Sequence, residues 1–526
     1  MVGRNIKVCL IDIKRPNYDY EEAPLNLLAL ANYLIYHHIV LPKNIKIINL
    51  NKNNDLSEII VFKPSIIGFS VVTPAYLQAQ KVGKILKKKL NVPILIGGHH
   101  ISGLPDILNY PFDIGVIGEG EGTLADIISI ISKGGILSEK NLKTIPNLIF
   151  RDNYGKIVKN PSRPLLKANE IRPNYWSLLK NEQIISYGVE AKDGRAIIVR
   201  KIPLFSARGC PYNCVFCSRQ VPWGKRVSFR PYSLERVAKE IEYLFKKFDI
   251  NAISFFDDTF VVSKIRLKRL IKKLKNRGLL GKINFVNVFV QASLIDEEFA
   301  LILKKLGVIS VGIGMESGSP KILKYLKRGF LNVSQIKKTV LFLGRQGITV
   351  SGSFMLFSPG EGEEDLQKTY KLALWLVKQP NVNNLTFSIT TPFPGTKMWQ
   401  KAFSKKNKTF FKEINWRNFV VYYNEGEIDV TSVVFFKDKL KDKQIRKYWH
   451  LFKVLEEKAV HKRESIPGWE EAEKKANSLN ARLNARLEIK RRFGRIIDNP
   501  KRIFVRATNL KTWKYFFRDI GDVIRR

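Results

Sequence analysis

The sequence predicts a mixed α/β protein with a parallel sheet at its N-terminal end, a second series of strand–helix units and a helical C-terminal region. The chain has 526 residues, which suggests about three units, because a single core rarely grows beyond ~250–300 residues. Its 45% hydrophobic and 26% charged residues are typical of a folded chain. Apolar runs alternate with helical patterns up to about residue 425, and the alternation is absent from the rest of the chain. The predicted divisions are residues 1–145, a linker over 146–195 whose turn-formers also allow a small hairpin, residues 196–425 and residues 426–526.

The composition also predicts the cellular compartment of the protein. No segment reaches about 18 consecutive apolar residues, so the sequence predicts no membrane span. Four cysteines are too few for a disulfide scaffold, and the N-terminal stretch is typical of a strand rather than of a signal peptide. We therefore expect a cytoplasmic protein in a reducing compartment.

Each predicted strand of the first unit is an apolar run with few polar interruptions. Such runs, separated by helical patterns, predict a flavodoxin-like, doubly wound parallel sheet that is covered on both faces. Ligands of these sheets bind beyond the carboxyl ends of the strands. The predicted strands are residues 6–11, 45–50, 66–72, 94–96 and 114–117.

Glycines and hydroxyl side chains follow three of these strands. Glycine lets the backbone approach a bulky ligand closely, and serine and threonine can donate hydrogen bonds. The alternative is that the glycines only form tight turns between strand and helix. The candidate ligand-binding residues are Ser70, Thr73, Gly97, Gly98, Gly118, Glu119 and Gly120.

The strongest signal in the sequence is a short loop with three cysteines. Cys210, Cys214 and Cys217 have the spacing Cys-x3-Cys-x2-Cys. Three thiolates on one loop can hold three irons of a 4Fe–4S cluster and leave the fourth iron open to a cofactor. A structural zinc ion would need a fourth Cys or His at zinc spacing, and the sequence offers none nearby. Cys9 lies in the first predicted strand, so we expect it to be a buried core thiol.

Six strand–helix units are predicted from the strand before this loop onward, and together they predict a partial barrel. Chemistry in such barrels gathers at the C-terminal ends of the strands. Asp257 and Asp258 follow the second strand and Glu316 ends the fourth, where a bound ligand or a helix cap would explain the carboxylates. The predicted strands are residues 196–206, 252–256, 284–290, 309–315, 349–357 and 384–390.

The cysteine loop resembles the signature of the radical S-adenosylmethionine (SAM) superfamily, and the resemblance extends over about residues 196–425. It implies one 4Fe–4S cluster, SAM at the open iron, and reductive cleavage of SAM to a 5′-deoxyadenosyl radical. It also implies electron delivery by a reductant protein of the flavodoxin or ferredoxin type. In the fifth strand segment, Phe357-Ser358 replaces the usual Gly-Leu. The residues that the resemblance implies as SAM contacts are Phe216, Asp257, Asp258, Glu316 and Phe357.

The first unit resembles the cobalamin-binding domain that precedes many radical SAM enzymes. The matching stretches are EEAPLNLLALANYL, GFSVVTPAY, ILIGGHH and GVIGEGEGT. The resemblance implies that cobalamin binds at the seven glycine, hydroxyl and glutamate positions given above. The loop over residues 12–17 contains no histidine, so no lower histidine ligand to cobalt is implied there.

The C-terminal region is basic. The chain carries a net charge of +43, and residues 481–526 hold 14 Lys and Arg against 4 Asp and Glu. A helix is predicted over residues 438–461. The basic tail fits docking onto the barrel, peripheral contact with the inner face of an anionic membrane or, least well, nucleic-acid binding. Its apolar residues at helical spacing are Trp513, Phe516, Phe517, Ile520 and Ile524.

The two resemblances together imply a cobalamin-dependent radical SAM methyltransferase that acts on an unactivated carbon of an unknown small-molecule or lipid substrate. One alternative keeps both cofactors but performs a cyclisation or rearrangement without methyl transfer. A methylthiotransferase is disfavoured, because Cys9 alone cannot supply the second three-cysteine site of that family. The last alternative is a non-catalytic cobalamin- or iron–sulfur-binding sensor or scaffold, which the carboxylates near the cysteine loop disfavour.

Overall fold

The computed structural model describes residues 6–13, 23–50, 55–218, 229–260, 263–403, 414–419 and 430–497, the last eleven by their backbone alone. The strands are β1 (Val8–Ile13), β2 (Ile45–Leu50), β3 (Ile66–Ser70), β4 (Ile94–Gly97), β5 (Ile114–Val116), β6 (Leu148–Arg151), β7 (Ile157–Lys159), β8 (Ser186–Lys192), β9 (Arg195–Leu204), β10 (Ala207–Arg208), β11 (Arg230–Pro231), β12 (Ala252–Phe255), β13 (Asn284–Val286), β14 (Val288–Val290), β15 (Ser310–Glu316), β16 (Thr349–Leu356) and β17 (Val382–Ile389).

The helices separate most of these strands. They are α1 (Leu25–Tyr36), α2 (Ser57–Phe62), α3 (Tyr76–Leu90), α4 (His99–Gly103), α5 (Glu121–Ser132), α6 (Glu139–Leu142), α7 (Asn181–Ile184), α8 (Leu234–Phe248), α9 (Lys264–Asn276), α10 (Glu297–Leu306), α11 (Pro320–Lys327), α12 (Val333–Arg345), α13 (Glu363–Val377), α14 (Lys397–Phe403), α15 (Val430–Val433), α16 (Asp442–Glu464) and α17 (Trp469–Ile497).

The first sheet has the order β2-β1-β3-β4-β5-β6-β7. Its first five strands are parallel, which confirms the predicted flavodoxin-like arrangement. The hairpin of β6 and β7 adds two antiparallel strands at one edge. That hairpin lies within the predicted linker, for which the sequence also allows a small hairpin, and β8 from the same segment joins the second sheet.

The apolar runs of the first sheet are continuous because helices cover both of its faces. In β1, Val8 and Leu10 pack into one buried cluster, and Cys9 and Ile11 pack into another on the opposite face. Side chains alternate between the faces of a strand, so both sets must be apolar. Cys9 is fully buried, and burial raises the pKa of its thiol to about 12. It is the inert core thiol that the sequence predicts.

The second unit is a partial barrel of six parallel strands, as predicted. β9, β12 and β13 pair in order in one sheet, and β14, β15, β16 and β17 pair in order in another. β13 and β14 form one barrel strand that is interrupted at Asn287, whose backbone is left-handed with φ +50°. The Asn287 amide donates to Ser310 Oγ at 2.8 Å, which holds the break against the next strand.

The C-terminal helices cover the flanks of this barrel. Helix α16 packs on β17 and α13, where Phe452 contacts Phe387 at 4.8 Å between ring centroids and Tyr448 donates to Glu363 at 3.0 Å. Helix α17 packs on β8, where Asn480 bonds both the amide and the carbonyl of Tyr187 at 2.9 Å. The helix predicted over residues 438–461 is confirmed as α16. In the part of the chain that the structure describes, no helix is long and apolar enough to cross a membrane.

The aromatic and apolar residues of the basic tail, from Trp513 to Ile524, lie outside the described residues. Docking of that tail onto the barrel, onto a membrane or onto nucleic acid therefore stays a prediction.

Candidate functional site

The three cysteines lie on the loop that follows β10, at the C-terminal end of the first barrel strand, and all three are partly exposed. Burial raises the pKa of the Cys214 thiol to about 12, so this thiol is protonated until a metal displaces the proton. Among the described residues, no three His, Cys, Asp or Glu side chains converge on a single metal ion. A 4Fe–4S cluster needs no such convergence, because each thiolate binds a different iron. Three cysteines at this spacing are the ligands that a cluster with one open iron needs.

The cysteine loop is fixed to the barrel by one buried apolar residue. Val215 lies between the cysteines and is buried against Ile322, Leu326 and Met398. Its amide donates to the Leu326 carbonyl at 3.1 Å, and its carbonyl accepts from the Met398 amide at 3.4 Å. These contacts tie the loop to the end of α11 and the start of α14, so its position is set by the barrel rather than by its own secondary structure.

Asp257 lies beneath the start of the cysteine loop. Its carboxylate accepts hydrogen bonds from the Ser206 amide at 2.7 Å, from the Ser206 hydroxyl and from the Ala207 amide at 3.1 Å. Burial raises the pKa of Asp257 to about 7, against the lowering effect of these donors. The carboxylate therefore holds the entry of the loop. A contact between Asp257 and SAM stays a prediction. The same holds for Asp258, which is partly exposed at the same strand end.

Glu316 ends β15 and forms a buried ion pair with Lys327. The distance from Lys327 Nζ to Glu316 Oε1 is 2.8 Å, and the two side chains are 3% and 7% exposed. Glu316 has a left-handed backbone with φ +58°, a strained conformation that turns its side chain toward α11. A Cβ on Gly314 would lie 2.5 Å from Glu316 Oε1 and 3.0 Å from Lys327 Nζ, so a larger residue there would displace the ion pair.

Lys327 is a site residue that the sequence analysis missed. Its Nζ lies 5.5 Å from the centroid of the Phe216 ring, beside the cysteine loop. Burial alone lowers the pKa of this ammonium, but the Glu316 carboxylate and the nearby cysteines reverse the effect and raise it. One lysine among many gives no sequence signal. Only the apolar spacing of α11, which buries Lys327 beside Leu326, could have indicated it.

Phe357 is fully buried just after β16 and also has a left-handed backbone, with φ +61°. The next residues form a buried polar group in which Ser358 Oγ contacts Thr390 Oγ1 at 2.8 Å and the Ser358 amide donates to Glu361 Oε2 at 2.8 Å. Glu361 Oε1 has no hydrogen-bond partner among the described residues. Burial raises the pKa of Glu361 to about 8, so this carboxyl group retains its proton at neutral pH.

The predicted cobalamin residues lie side by side at the carboxyl edge of the first sheet. Ser70 and Gly97 are paired across β3 and β4, and the Val71 amide donates to the Gly97 carbonyl at 2.9 Å. Gly98 has φ +94°, and a Cβ there would lie 2.6 Å from the Val71 carbonyl oxygen. Gly118 follows β5 with φ +74°. Gly98 therefore lets the turn after β4 pack closely on the end of β3, and this edge presents backbone and small side chains to a bulky cofactor.

Thr73 and His100 form a buried pair at this edge, and His100 is not among the site residues predicted from the sequence. His100 Nδ1 lies 3.1 Å from Thr73 Oγ1, and its ring packs on Tyr76 and Trp416 at 4.0 and 4.7 Å between centroids. Burial lowers the pKa of His100 to about 3, so the imidazole is neutral. Trp416 comes from the segment after the barrel and brings that segment against the sheet edge. The described part of the β1 loop ends at Ile13, so most of residues 12–17 lies outside the described residues.

Glu119 and Gly120 lie at the junction of the two units. Glu119 Oε1 accepts from Arg230 Nη2 at 2.6 Å and from Arg208 Nη1 at 3.2 Å. Arg208 stands two residues before Cys210, so a residue predicted to bind cobalamin contacts the base of the cysteine loop. The structure thus brings the sheet edge and the loop together. The individual ligand assignments stay predictions.

These features define a class of protein, namely an iron–sulfur enzyme with a partial barrel and a cofactor-binding sheet in front of it. The model of the radical SAM superfamily matches residues 204–373, and that of the B12 binding domain matches residues 16–128. The chain is 32% identical over 409 residues to the uncharacterized methyltransferase PH0819 of Pyrococcus horikoshii, covering 75% of this chain and 81% of that protein. The chain belongs to the radical SAM superfamily, in the branch that carries a B12-binding domain, and it is an enzyme of that family.

Further comparisons agree with this placement. The anaerobic magnesium-protoporphyrin IX monomethyl ester cyclase of Rubrivivax gelatinosus is 26% identical over 374 residues, covering 69% of this chain and 64% of that protein. The radical SAM methyltransferase TsrM from Kitasatospora setae, solved with cobalamin and a 4Fe–4S cluster, shares the fold with a TM-score of 0.59. The two sequences are 19% identical, and the structural match covers 76% of this chain and 78% of the TsrM chain. The predicted family, enzyme class and set of three cofactors are confirmed at the level of the family.

Proposed function

We propose that this protein is a cobalamin-dependent methyltransferase that uses radical SAM chemistry to methylate an unactivated carbon. The observation that carries the proposal is the contact of Glu119, at the carboxyl edge of the B12-type sheet, with Arg208, at the base of the three-cysteine loop. A sheet edge and a cysteine loop that are joined in this way would hold their cofactors close enough to act on one substrate. Methyltransferases among the relatives, PH0819 included, support the same reaction class.

The cofactors would supply the electron, the radical and the methyl group. The protein's own residues hold and shield them. Cys210, Cys214 and Cys217 would hold the cluster, and the strained Glu316 would be oriented by Lys327 toward the site predicted for SAM. The backbone and small side chains at the sheet edge would contact the corrin. The buried surroundings of Val215 exclude water from the base of the loop.

The experiment that tests this proposal compares the wild-type full chain with its Cys214→Ala variant. Anaerobic cells expressing each protein are grown with methyl-deuterated methionine, and metabolites are searched by mass for a labelled methyl group on carbon. We expect labelled product only with the wild type, together with iron and cobalt in the purified protein. Purified wild-type protein that binds no cobalt would overturn the cobalamin part of the proposal.

A second candidate is a cyclisation without methyl transfer. The similarity to the cyclase of Rubrivivax gelatinosus favours it, because that alignment covers most of this chain. The two reactions differ in product mass. Methyl transfer adds one methylene unit to the substrate, whereas oxidative cyclisation removes hydrogen without that gain.

We also propose an acidic reductant protein of the flavodoxin or ferredoxin type as a partner, since the chain has a net charge of +43. Helix α9 is the most basic helix of the barrel, with Lys268, Arg269 and Lys272 exposed, and its charge would suit such a partner.

The basic tail supports a second proposal, that the protein contacts an anionic membrane peripherally and acts on a lipid. Sedimentation with vesicles of anionic and of neutral lipid would test it, and equal binding to both would contradict it.

A further inference from the structure

Four charged side chains meet between the B12-type sheet and the cysteine loop. Glu119 accepts from Arg230 through both of its oxygens, at 2.6 and 3.1 Å, and from Arg208 at 3.2 Å. Glu121, at the start of α5, contacts the other nitrogen of Arg208 at 2.7 Å. The Glu119 carboxylate also accepts from the Leu166 amide at 3.1 Å. We refer to Glu119, Glu121, Arg208 and Arg230 as the junction cluster.

The two arginines of the junction cluster stand at the two ends of the cysteine loop. Arg208 is in β10 and Arg230 is in β11, and the two residues are direct partners in this short antiparallel pair. The chain between them contains Cys210, Cys214 and Cys217. A single carboxylate from the first unit therefore holds both ends of the segment that is predicted to bind the cluster.

The junction cluster is sheltered from water. The side chains of Arg208, Arg230 and Glu119 are 18%, 12% and 20% exposed. Burial alone raises the pKa of Glu119, but its bonds to Arg230 and Arg208 outweigh this effect and lower it. Charge-assisted bonds in such surroundings are stronger and more directional than on the surface, and removing one partner leaves the others buried without compensation.

Glu119 also belongs to the turn that borders the cofactor edge. It directly follows Gly118, which lies two residues after β5, has a left-handed backbone and donates its amide to Ser102 Oγ at 3.0 Å. A ligand that contacts the β5 turn would therefore lie next to the carboxylate that holds both ends of the cysteine loop. A contiguous set of contacts links the two sites.

We infer that Glu119 is a positioning residue that couples occupancy of the sheet edge by cobalamin to the order of the cluster-binding loop. This inference rests on the proposed function, because it needs cobalamin at the sheet edge. The coupling predicts that bound cobalamin protects the cluster from loss of iron. Coupling between two sites typically changes an equilibrium constant about 5–150-fold. Iron leaves from the loosened form of the loop, so its rate of loss should fall with the population of that form, by at least about fivefold.

The test uses the cluster-loaded full chain with and without a saturating excess of hydroxocobalamin. The measured quantity is the rate at which a ferrous chelator removes iron. In the wild type, cobalamin should slow this rate at least about fivefold. In Glu119→Gln and in Arg230→Lys, saturating cobalamin should slow it less than twofold. The control is Glu58→Gln, which removes the ion pair with Lys46 at the opposite edge of the same sheet and should keep the wild-type protection.

Each alternative outcome is distinguishable. If Glu119 only contacts cobalamin directly, Glu119→Gln will bind cobalamin more weakly but will regain full protection at saturation, which would overturn the inference. Wild-type protein that binds cobalamin but loses iron at an unchanged rate would also overturn it, with the proposed function intact. Wild-type protein that retains no hydroxocobalamin after gel filtration would overturn both.

Discussion

Among the ion pairs of the described residues, the pair of Lys327 and Glu316 is the most deeply buried, so its loss should be costly. The pair is almost fully buried, with 2.8 Å between Nζ and Oε1. Replacing Lys327 by methionine keeps the length and apolar body of the side chain and removes its charge. The Glu316 carboxylate then stays buried without its cation, in a position fixed by its left-handed backbone. We therefore expect Lys327→Met to destabilise the barrel strongly.

The magnitude follows from the burial of both partners. Removing one member of a buried ion pair typically costs about 3–5 kcal/mol, because the remaining charge is not solvated. This corresponds to an unfolding constant that rises by roughly two to four orders of magnitude. The double variant Lys327→Met with Glu316→Gln has no unpaired charge, so it should recover most of the loss. The two substitutions are therefore strongly non-additive.

Urea unfolding followed by tryptophan fluorescence measures this effect in the four proteins of the cycle. The control is Lys474→Met, which removes an ion pair with Glu470 in which both side chains are largely exposed, and it should leave the midpoint unchanged. If Lys327→Met unfolds at the wild-type midpoint, or if the two single effects simply add, the argument from burial is wrong.

Three further predictions concern the loop, a buried carboxyl group and the junction of the units. Cys214→Ala should reduce iron from about four atoms per chain to nearly none in a colorimetric assay, and full retention would contradict the cluster assignment. Glu361 has a pKa of about 8 when folded and 4.5 as its ordinary value, so the folded state retains a proton that the unfolded state releases. Stability should therefore fall as pH rises between these values, by at most about 1.4 kcal/mol per pH unit, and thermal unfolding of Glu361→Gln should lack this slope. A Cβ on Gly103 would collide with the Pro394 carbonyl of the barrel, so Gly103→Ala should lower the thermal midpoint. Gly188→Ala, where the Cβ meets only ordinary contacts, should lower it less.

The fold could be predicted from the sequence because its signal is local. Continuous apolar runs bounded by helical patterns placed eleven parallel strands, and the structure has each of them within a few residues. The hairpin of β6 and β7 was harder to assign to a unit. Turn-forming residues around 146–164 indicate a connection, and only the pairing of Ile114 with Phe150 shows that this connection extends the first sheet.

The partners of the charged residues could not be predicted, because their pairing depends on distant parts of the chain. The sequence shows Glu119 next to glycines at a strand end, which fits a ligand site. The structure shows that Arg208 and Arg230, 89 and 111 residues away, occupy its carboxylate. Lys327 is likewise one of many lysines until the fold buries it against Glu316.

Asp257 and Glu119 were both predicted to contact a cofactor, and in the structure both carboxylates bind residues that flank the cysteine loop. The cysteine loop has little secondary structure, so its backbone amides and its flanking arginines need partners from elsewhere. A carboxylate at a neighbouring strand end can meet that need, as Asp257 does for Ser206 and Ala207. Glu119 does the same from the other unit for Arg208 and Arg230. A carboxylate at a strand end beside a cofactor-binding loop can therefore hold the loop in place, whether or not it also contacts the cofactor. Replacing it should loosen the cluster even where cofactor affinity is unchanged.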